Sequence, residues 1–538
     1  MLHKLDRNIT NHRKILLISA LVFSLFCAAL LLISLYLNGW NFIYVIDDPY
    51  IHMAIAKNFV TSGSWAVNGQ VFTSATSSPL WTLLISLSYF ITGVNTVDPL
   101  VLNFVFSILS LAAAVHILKY FKAGKYIYYV IIVFIFSSPL PALVFTGMEH
   151  TAQIWLSLLF VFYASLYATG KNESAALLIS LVIISMLLTA LRYEDLFLVF
   201  SASVFFAARK KFLPAALIMI AGVIPPVLYG IISVDSGSMF LPSSILVKSR
   251  VGELSAIEIL KIPYRALKRM LEPDIIFLLP PMVLVIYRNY KLRLKELDTK
   301  QVMAAIFILT YLLHMCFAQT GWFFRYEAYL VSMGIIILWV NIYPAYLKGA
   351  NKENNFSAIK SRSPVFSRII LAAVILSVCG RAVSSFLVPQ SSNNIYNQHF
   401  QMAAFVNTLP AGTTIAANDI GMLNFYTHNK IVDLWGLADN DAAAYKLNGN
   451  YTTSAIENIT RQKGVELAII YTDWFSQYGG VSNDWQMLGS WKMTRLNIVC
   501  GNERVSFYSL NKDLAPQYKT LLDKFSASLP ASVLYTGY

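Results

Sequence analysis

Two adjacent carboxylates carry the first chemistry in this chain: Asp47-Asp48-Pro49-Tyr50-Ile51-His52 stands just past a long apolar run. Paired acids can take a proton from a hydroxyl when burial or a like charge raises one of them, and they can also ligate a divalent cation, Mg or Mn. The preceding run, Ile15 to Leu37, holds 23 residues without a charge, and about 20 suffice to cross a hydrocarbon core of roughly 30 Å. The acids therefore sit at a membrane boundary. A plainer role is open to Asp48, which can cap a helix whose first residue is Pro49, with His52 four residues on along the same face. That role leaves Asp47 unexplained.

Hydrophobic residues make up 57% of the chain and charged residues 13%, against about 25% charged in soluble domains, so the sequence describes an integral membrane protein. Apolar stretches recur at about 15–37, 99–118, 126–144, 151–169, 175–190, 196–208, 213–233, 275–290, 301–318, 328–347 and 369–388, about eleven spans by length and hydropathy. Basic residues cluster in alternate connections, at Lys4 to Lys14, Lys119 to Lys125, Arg209 to Lys211 and Arg288 to Lys300. Lysine and arginine are retained on the cytoplasmic side, which puts the N-terminus inside and explains most of the net charge of +13 without nucleic acid. Cys27, Cys316, Cys379 and Cys500 suggest neither a disulfide framework nor a metal cluster.

In that register Pro79 to Thr92 is too short to span and reads as an interfacial helix, with Trp81 and Tyr89 at the headgroup level. The loop 234–274 carries a basic amphipathic helix with Leu260, Tyr264, Leu267 and Leu271 on one face, suited to anchoring or to a phosphorylated lipid. Beyond residue 388 short β-rich runs at Thr413 to Ala416, Lys430 to Leu434, Leu467 to Tyr471 and Val505 to Leu510 alternate with helical stretches at His399 to Leu409 and Ala442 to Arg461. The expected architecture is a polytopic α-helical membrane domain over 1–388, with a first outer loop at 38–98, followed by a C-terminal α/β soluble domain over 389–538 on the outer side. Walker, GxGxxG and GxSxG patterns are missing from the sequence.

The unusual polar residues then collect on the outer face. Asp47, Asp48 and His52 are joined there by Glu149 and His150 in TGMEHT, Arg192, Glu194 and Asp195 in ALRYED, Lys248 and Arg250 in LPSSILVKSR, and Arg325 and Glu327 in GWFFRYE. Singly, each can be a snorkelling anchor; together they describe a polar cavity opening outward. Arginines and lysines there can neutralise phosphate while a carboxylate accepts a proton from a hydroxyl. Outside the cytoplasm a group donor has to arrive on a lipid.

The run IDDPYIHMAIAKNFVTSGSWAVNGQVFTSATSSPLWTLL resembles the first outer loop of bacterial GT-C glycosyltransferases, particularly those related to the mycobacterial terminal β-arabinofuranosyltransferase. TGMEHT, ALRYED, FLPSSILVKS and GWFFRYEAYL resemble later motifs of that family in order, and ANDIGMLNFYTHNKIVDLWGLAD resembles the signature of its C-terminal domain. The chain departs from those patterns at Ala54, Tyr193 and Ser243-Ser244. The resemblance implies a GT-C fold and a glycosyltransferase of the bacterial plasma membrane. It would move a sugar, arabinofuranose in the namesake, from a polyprenyl-phosphate donor to a glycan or glycoconjugate acceptor of the cell envelope, with inversion. It makes Asp47 the base and Asp48 the neighbouring acid; Lys248, Arg250 and Arg325 would hold the donor phosphate, and His52, Trp81, Glu149, His150, Arg192 and Glu194 would bind or support the sugars. Two alternatives stay open: a transporter or flippase of lipid-linked sugars, and a polymerase or ligase using a lipid diphosphate.

Overall fold

The computed structural model describes residues 2–69, 71–248, 260–351 and 364–538. Among them five helices are long and apolar enough to cross a membrane: Arg13–Leu37, Asp98–Tyr120, His150–Ala168, Phe212–Asp235 and Thr299–Phe317. Shorter apolar helices accompany them at Pro79–Thr92, Ile127–Ser137, Ala175–Leu191, Ile276–Asn289 and Ala328–Ile342. Among the described residues length and hydropathy thus mark five of the eleven expected spans, and four of the shorter helices coincide with others. One shortening has a local cause: the run 126–144 stops at Ser137 and resumes as Leu140–Val144, because Pro139 disfavours helix in the residue before it.

Pro79–Thr92 is a helix over the expected residues, with proline in its first turn and Gly93 ending it at φ 80°. Leu83, Leu87, Phe90 and Ile91 form its exposed apolar face, but two of its aromatic residues are not at the headgroup level. Trp81 and Tyr89 are buried inside the protein, and the Trp81 indole donates to the Gly147 carbonyl at 3.0 Å. Trp81 is thus a packing residue under the first loop rather than a sugar contact. The basic amphipathic helix appears as Ile262–Met270. Leu260, Tyr264, Leu267 and Leu271 are exposed, while Arg269 donates to the Met315 carbonyl at 2.7 Å and so closes the end of Thr299–Phe317.

The boundary expected at 388 falls inside a helix, Pro364–Ile395, which continues through a π turn, Tyr396–Phe400, into Gln401–Val406. The C-terminal part that follows is built on one mixed sheet of β1 (Thr414–Ala417), β2 (Lys430–Asp433), β3 (Leu467–Ile470), β4 (Gln486–Met493), β5 (Arg504–Ser509) and β6 (Val533–Gly537), in the order β2-β1-β3-β5-β4-β6. β2, β1 and β3 run parallel, and β3, β5, β4 and β6 pair antiparallel in turn. The expected helix over 442–461 is two helices, Asn440–Leu447 and Thr453–Gln462. Gly449 turns left-handed at φ 69° between them, and the Thr452 hydroxyl accepts from the Ala455 amide to start the second, the usual stop and start chemistry of helices.

The first loop is seated against the turn that carries TGMEHT. The Val45 amide donates to the Phe145 carbonyl at 3.1 Å, and Gly147, at φ 66°, passes so close that a Cβ there would lie 2.8 Å from Pro49 Cβ and 2.9 Å from the Tyr44 ring. Only glycine takes both that backbone and that approach. Gly147→Ala should therefore cost about 1–3 kcal/mol by overpacking, read as a lower aggregation temperature of the purified protein; an unchanged temperature would show that the loop is not seated there.

Candidate active site

The helix after the acids runs Asp48–Ser62, and neither acid caps it through its side chain. Asp48 is its first residue rather than its cap, because both carboxylates are held elsewhere. Asp48 forms an ion pair with Arg325. Asp47 turns the other way: its Oδ2 accepts from the Gly421 amide at 2.7 Å and its Oδ1 from the Met422 amide at 2.9 Å. Gly421 is required for this approach, since a Cβ would collide with the Asp47 carbonyl and carboxylate oxygens. One acid thus docks the C-terminal domain and the other stays within the membrane domain's own polar cluster.

Around Asp47 the docking is polar and buried. His399 places Nδ1 3.7 Å from Asp47 Oδ1 and Nε2 3.3 Å from Asp419 Oδ2. Its Nε2 also lies 2.7 Å from the Tyr471 hydroxyl, which donates onward to Gln398 Oε1 at 2.5 Å, so the imidazole is the donor in the first of these bonds. Burial pushes the Asp47 carboxyl up to about 6, against the pull of His399 and the two amides. Burial also opposes charge on His399, but the hydrogen bond to Asp419 and the charges of Asp47 and Asp419 outweigh it and raise the imidazole above its ordinary range.

The second cluster gathers four of the sequence motifs. Arg192 donates to Glu149 Oε1 at 3.0 Å and to Glu194 at 2.6 Å from Nη2 and 3.2 Å from Nε. Its Nη1 also reaches the Ser77 hydroxyl at 3.5 Å. Burial opposes the charge of Glu149, and His150 and Arg192 beside it hold its carboxyl down at about 2. The Tyr326 ring joins this group to the other ion pair, lying 5.5 Å from the Arg192 guanidinium and 5.0 Å from that of Arg325. Arg325 is buried, yet its Nε and Nη1 have no hydrogen-bond partner among the described residues; nor have Glu149 Oε2 and His150 Nε2, the latter lying 4.0 Å from Glu149 Oε1. Buried polar groups are normally satisfied, so these atoms point to a ligand or ordered water between the pairs.

Other expected residues fall nearby or outside. His52 is buried against Thr82 and Thr76, with Nδ1 at 2.8 and 3.1 Å from their hydroxyls, and burial lowers its imidazole. His150 lies 3.4 Å from Gln153 Oε1, and that glutamine donates to Asp195 at 3.1 Å. The Lys248 side chain and all of Arg250 lie outside the described residues. A cation bridging Asp47 and Asp48 does not fit this arrangement: the carboxylates have separate partners, one of them a guanidinium that a dication would repel. No group of three His, Cys, Asp or Glu side chains stands together as a metal site among the described residues.

Sequence reading missed Arg381 and His399; Asp419 fell within the ANDIGML stretch of the C-terminal signature but carried no assigned role. Arg381 is fully buried and donates to Glu327 Oε1 at 2.8 Å and to the carbonyls of Ser137, Asp274 and Phe324 at 2.6, 3.2 and 3.0 Å. A lone arginine inside an apolar span was its visible signal. It clamps the turn that presents Arg325, where Trp322, Phe323 and Phe324 all have left-handed backbones, at φ 46°, 61° and 61°.

Comparison with known proteins adds the fold. The model of a family described as a domain of unknown function (DUF8728) matches residues 393–508. No curated protein matches the chain. Among solved structures, ArnT from Cupriavidus metallidurans bound to undecaprenyl phosphate is similar at a TM-score of 0.52 and 10% identity, covering 91% of this chain and 98% of ArnT. Apo ArnT gives 0.52 and 9%, with the same coverage. The apo oligosaccharyltransferase from Archaeoglobus fulgidus gives 0.53 and 11%, over 93% of this chain and 74% of that one. The chain shares the fold of these proteins: a multi-helix membrane protein with a C-terminal domain containing a sheet.

The docking contact carries a pH dependence. Asp47 and His399 both have native values above their ordinary ones, so each contribution is complete below the ordinary value and is lost as pH rises. For Asp47 the loss runs from about 4 to 6, and for His399 it lies above about 6.5. Hydrogen-exchange protection of the Gly421 and Met422 amides, corrected for intrinsic rates, should fall as pH rises above the ordinary imidazole range, and His399→Gln should flatten that fall. Protection independent of pH in the unaltered protein would refute this linkage.

Proposed function

We propose that the chain is a membrane glycosyltransferase that moves a sugar from a polyprenyl-phosphate carrier to an acceptor glycan on the non-cytoplasmic side of the bacterial plasma membrane. The observation that carries this reading is Arg325: a buried guanidinium paired with Asp48 through one nitrogen, with two more nitrogens unpartnered among the described residues. Such N–H groups suit the oxygens of a departing phosphate. The fold shared with ArnT, whose solved structure holds undecaprenyl phosphate, supports a lipid phosphate as the leaving group. Arabinofuranose is the sugar that the sequence resemblance favours.

In the reaction, the acceptor oxygen forms its bond to the anomeric carbon as the bond from that carbon to the phosphate oxygen breaks, with inversion. The electron pair of the broken bond stays on the phosphate, which the Arg325 N–H groups stabilise. The proton of the acceptor hydroxyl passes to a carboxylate. Of the adjacent acids we assign this role to Asp48, because both oxygens of Asp47 already accept backbone amides and its side chain is 10% exposed, against 21% for Asp48. Asp47 becomes a positioning residue. Glu149, Arg192 and Glu194 supply donors and acceptors for sugar hydroxyls, with Lys248 and Arg250 further candidates for the phosphate.

Membranes bearing Asp48→Asn, supplied with radiolabelled polyprenyl-phosphate sugar, should transfer about 10²–10⁴-fold more slowly at unchanged protein abundance, the range for loss of a general base. Asp47→Asn should retain more transfer than Asp48→Asn. Full transfer by Asp48→Asn would overturn the assignment of the base.

A further inference from the structure

A second concave site lies at the opposite end of the helix Gly421–Tyr426 from Asp47. A cleft of about 420 Å³ opens between the end of the first span and the start of the C-terminal domain, within the size range of small-molecule sites. Its walls include Trp40, Asn41 and Phe42 from the first loop and Phe400, Asn407 and Tyr426 from the C-terminal part. None of its described lining residues is charged, which disfavours a phosphate, a headgroup or a charged peptide as the occupant.

The polar groups in the cleft are oriented. Asn41 Nδ2 donates to the carbonyls of Asn38 and Gly39 at 3.0 and 3.3 Å, and Asn407 Nδ2 to that of Tyr426 at 3.1 Å. Each amide therefore keeps its oxygen, an acceptor, outside these bonds. Apolar ring faces beside hydrogen-bond acceptors suit a ligand with C–H faces and hydroxyl donors at its rim, which is the surface of a neutral sugar. An alkyl chain would leave those acceptors without partners. Trp40 strengthens the case: it holds a left-handed backbone at φ 67° and is 70% exposed, an uncommon conformation for a bulky residue and one that clusters at functional sites.

The cleft and the paired acids share a support. The helix Gly421–Tyr426 binds Asp47 at its first end and lines the cleft at its last, and six residues at about 1.5 Å each make it about 9 Å long. We propose that the cleft binds the acceptor glycan, with sugar faces stacked on Trp40 and Tyr426 and hydroxyls donating to Asn41 and Asn407. This rests on the glycosyl-transfer reading of the neighbouring site.

The test measures binding and turnover separately, with the full-length protein in nanodiscs and fluorescently labelled tetrasaccharides of four kinds: arabinofuranosyl, galactofuranosyl, mannosyl and glucosyl. At least one should bind, and Trp40→Ala and Asn407→Ala, both at exposed positions, should each weaken it at least about tenfold, equivalent to about 1.4 kcal/mol. Asp48→Asn should bind it as the unaltered protein does. Failure of all four sugars to bind, binding that survives both cleft substitutions, or displacement of the sugar by neutral phospholipid would overturn the cleft assignment. Binding at the cleft with no transfer from any lipid-linked donor would overturn the transferase reading and leave the sugar site standing.

Discussion

The contact between the Asp47 carboxylate and the Gly421 and Met422 amides is the constraint on which the two halves of the molecule depend. Adjacent carboxylates repel, so Asp47 and Asp48 each need a partner, and the partners lie far apart in sequence. One is an arginine of the membrane domain and the other a pair of amides in the C-terminal domain. A buried charge stripped of its partner costs several kcal/mol. The first loop therefore cannot slide toward either side without exposing one acid to that cost, and the Asp48 carboxylate is located from both directions at once.

The same logic holds on the arginine side. Arg325 follows a run of left-handed residues, Trp322 to Phe324, each unfavourable for a side-chain-bearing residue. Such a turn persists when its surroundings over-determine it. Arg381 does so by donating to the Phe324 carbonyl and to Glu327, which flank Arg325, while also gripping Ser137 and Asp274. Glu327 closes the turn from its other side by accepting from the Gly321 amide at 2.8 Å. A buried ion pair is a costly way to gain stability, but it fixes direction well, and direction is what Arg325 needs.

Much of this cluster could be read in the sequence, and the unread parts share a physical reason. Asp48, Glu149, Arg192, Glu194 and Arg325 stood out as charges at the ends of apolar runs, and the fold brings them around Tyr326. Four of the six strands were visible as β-rich runs; β4 and β6 were not, because mixed polar edges hide their alternation. His399 looked like an ordinary polar residue of a soluble domain, and Asp419 stood in a signature stretch without a role, since their meaning comes only from the contact of His399 with Asp47 across the interface. Trp81 misled for the opposite reason. An aromatic on a short apolar helix suits an interface, but this helix is covered by Asp48–Ser62 and by the Gly147 turn, so its ring became core.

The charge balance of the two clusters gives the proposed reaction a direction. Glu149 and Glu194 together outnumber the single Arg192 they share, leaving that side net negative, whereas Asp48 and Arg325 balance. A glycosyl group gains positive character at its anomeric carbon as the bond to phosphate breaks, and a negative flank stabilises that charge while repelling the phosphate. The unpartnered nitrogens of Arg325 attract the same phosphate from the other side. Low dielectric strengthens both effects, since Glu149, Arg192 and Arg325 are buried. In the proposed reaction the placement of one extra carboxylate beside Arg192, rather than the total charge, would favour departure of the phosphate toward Arg325.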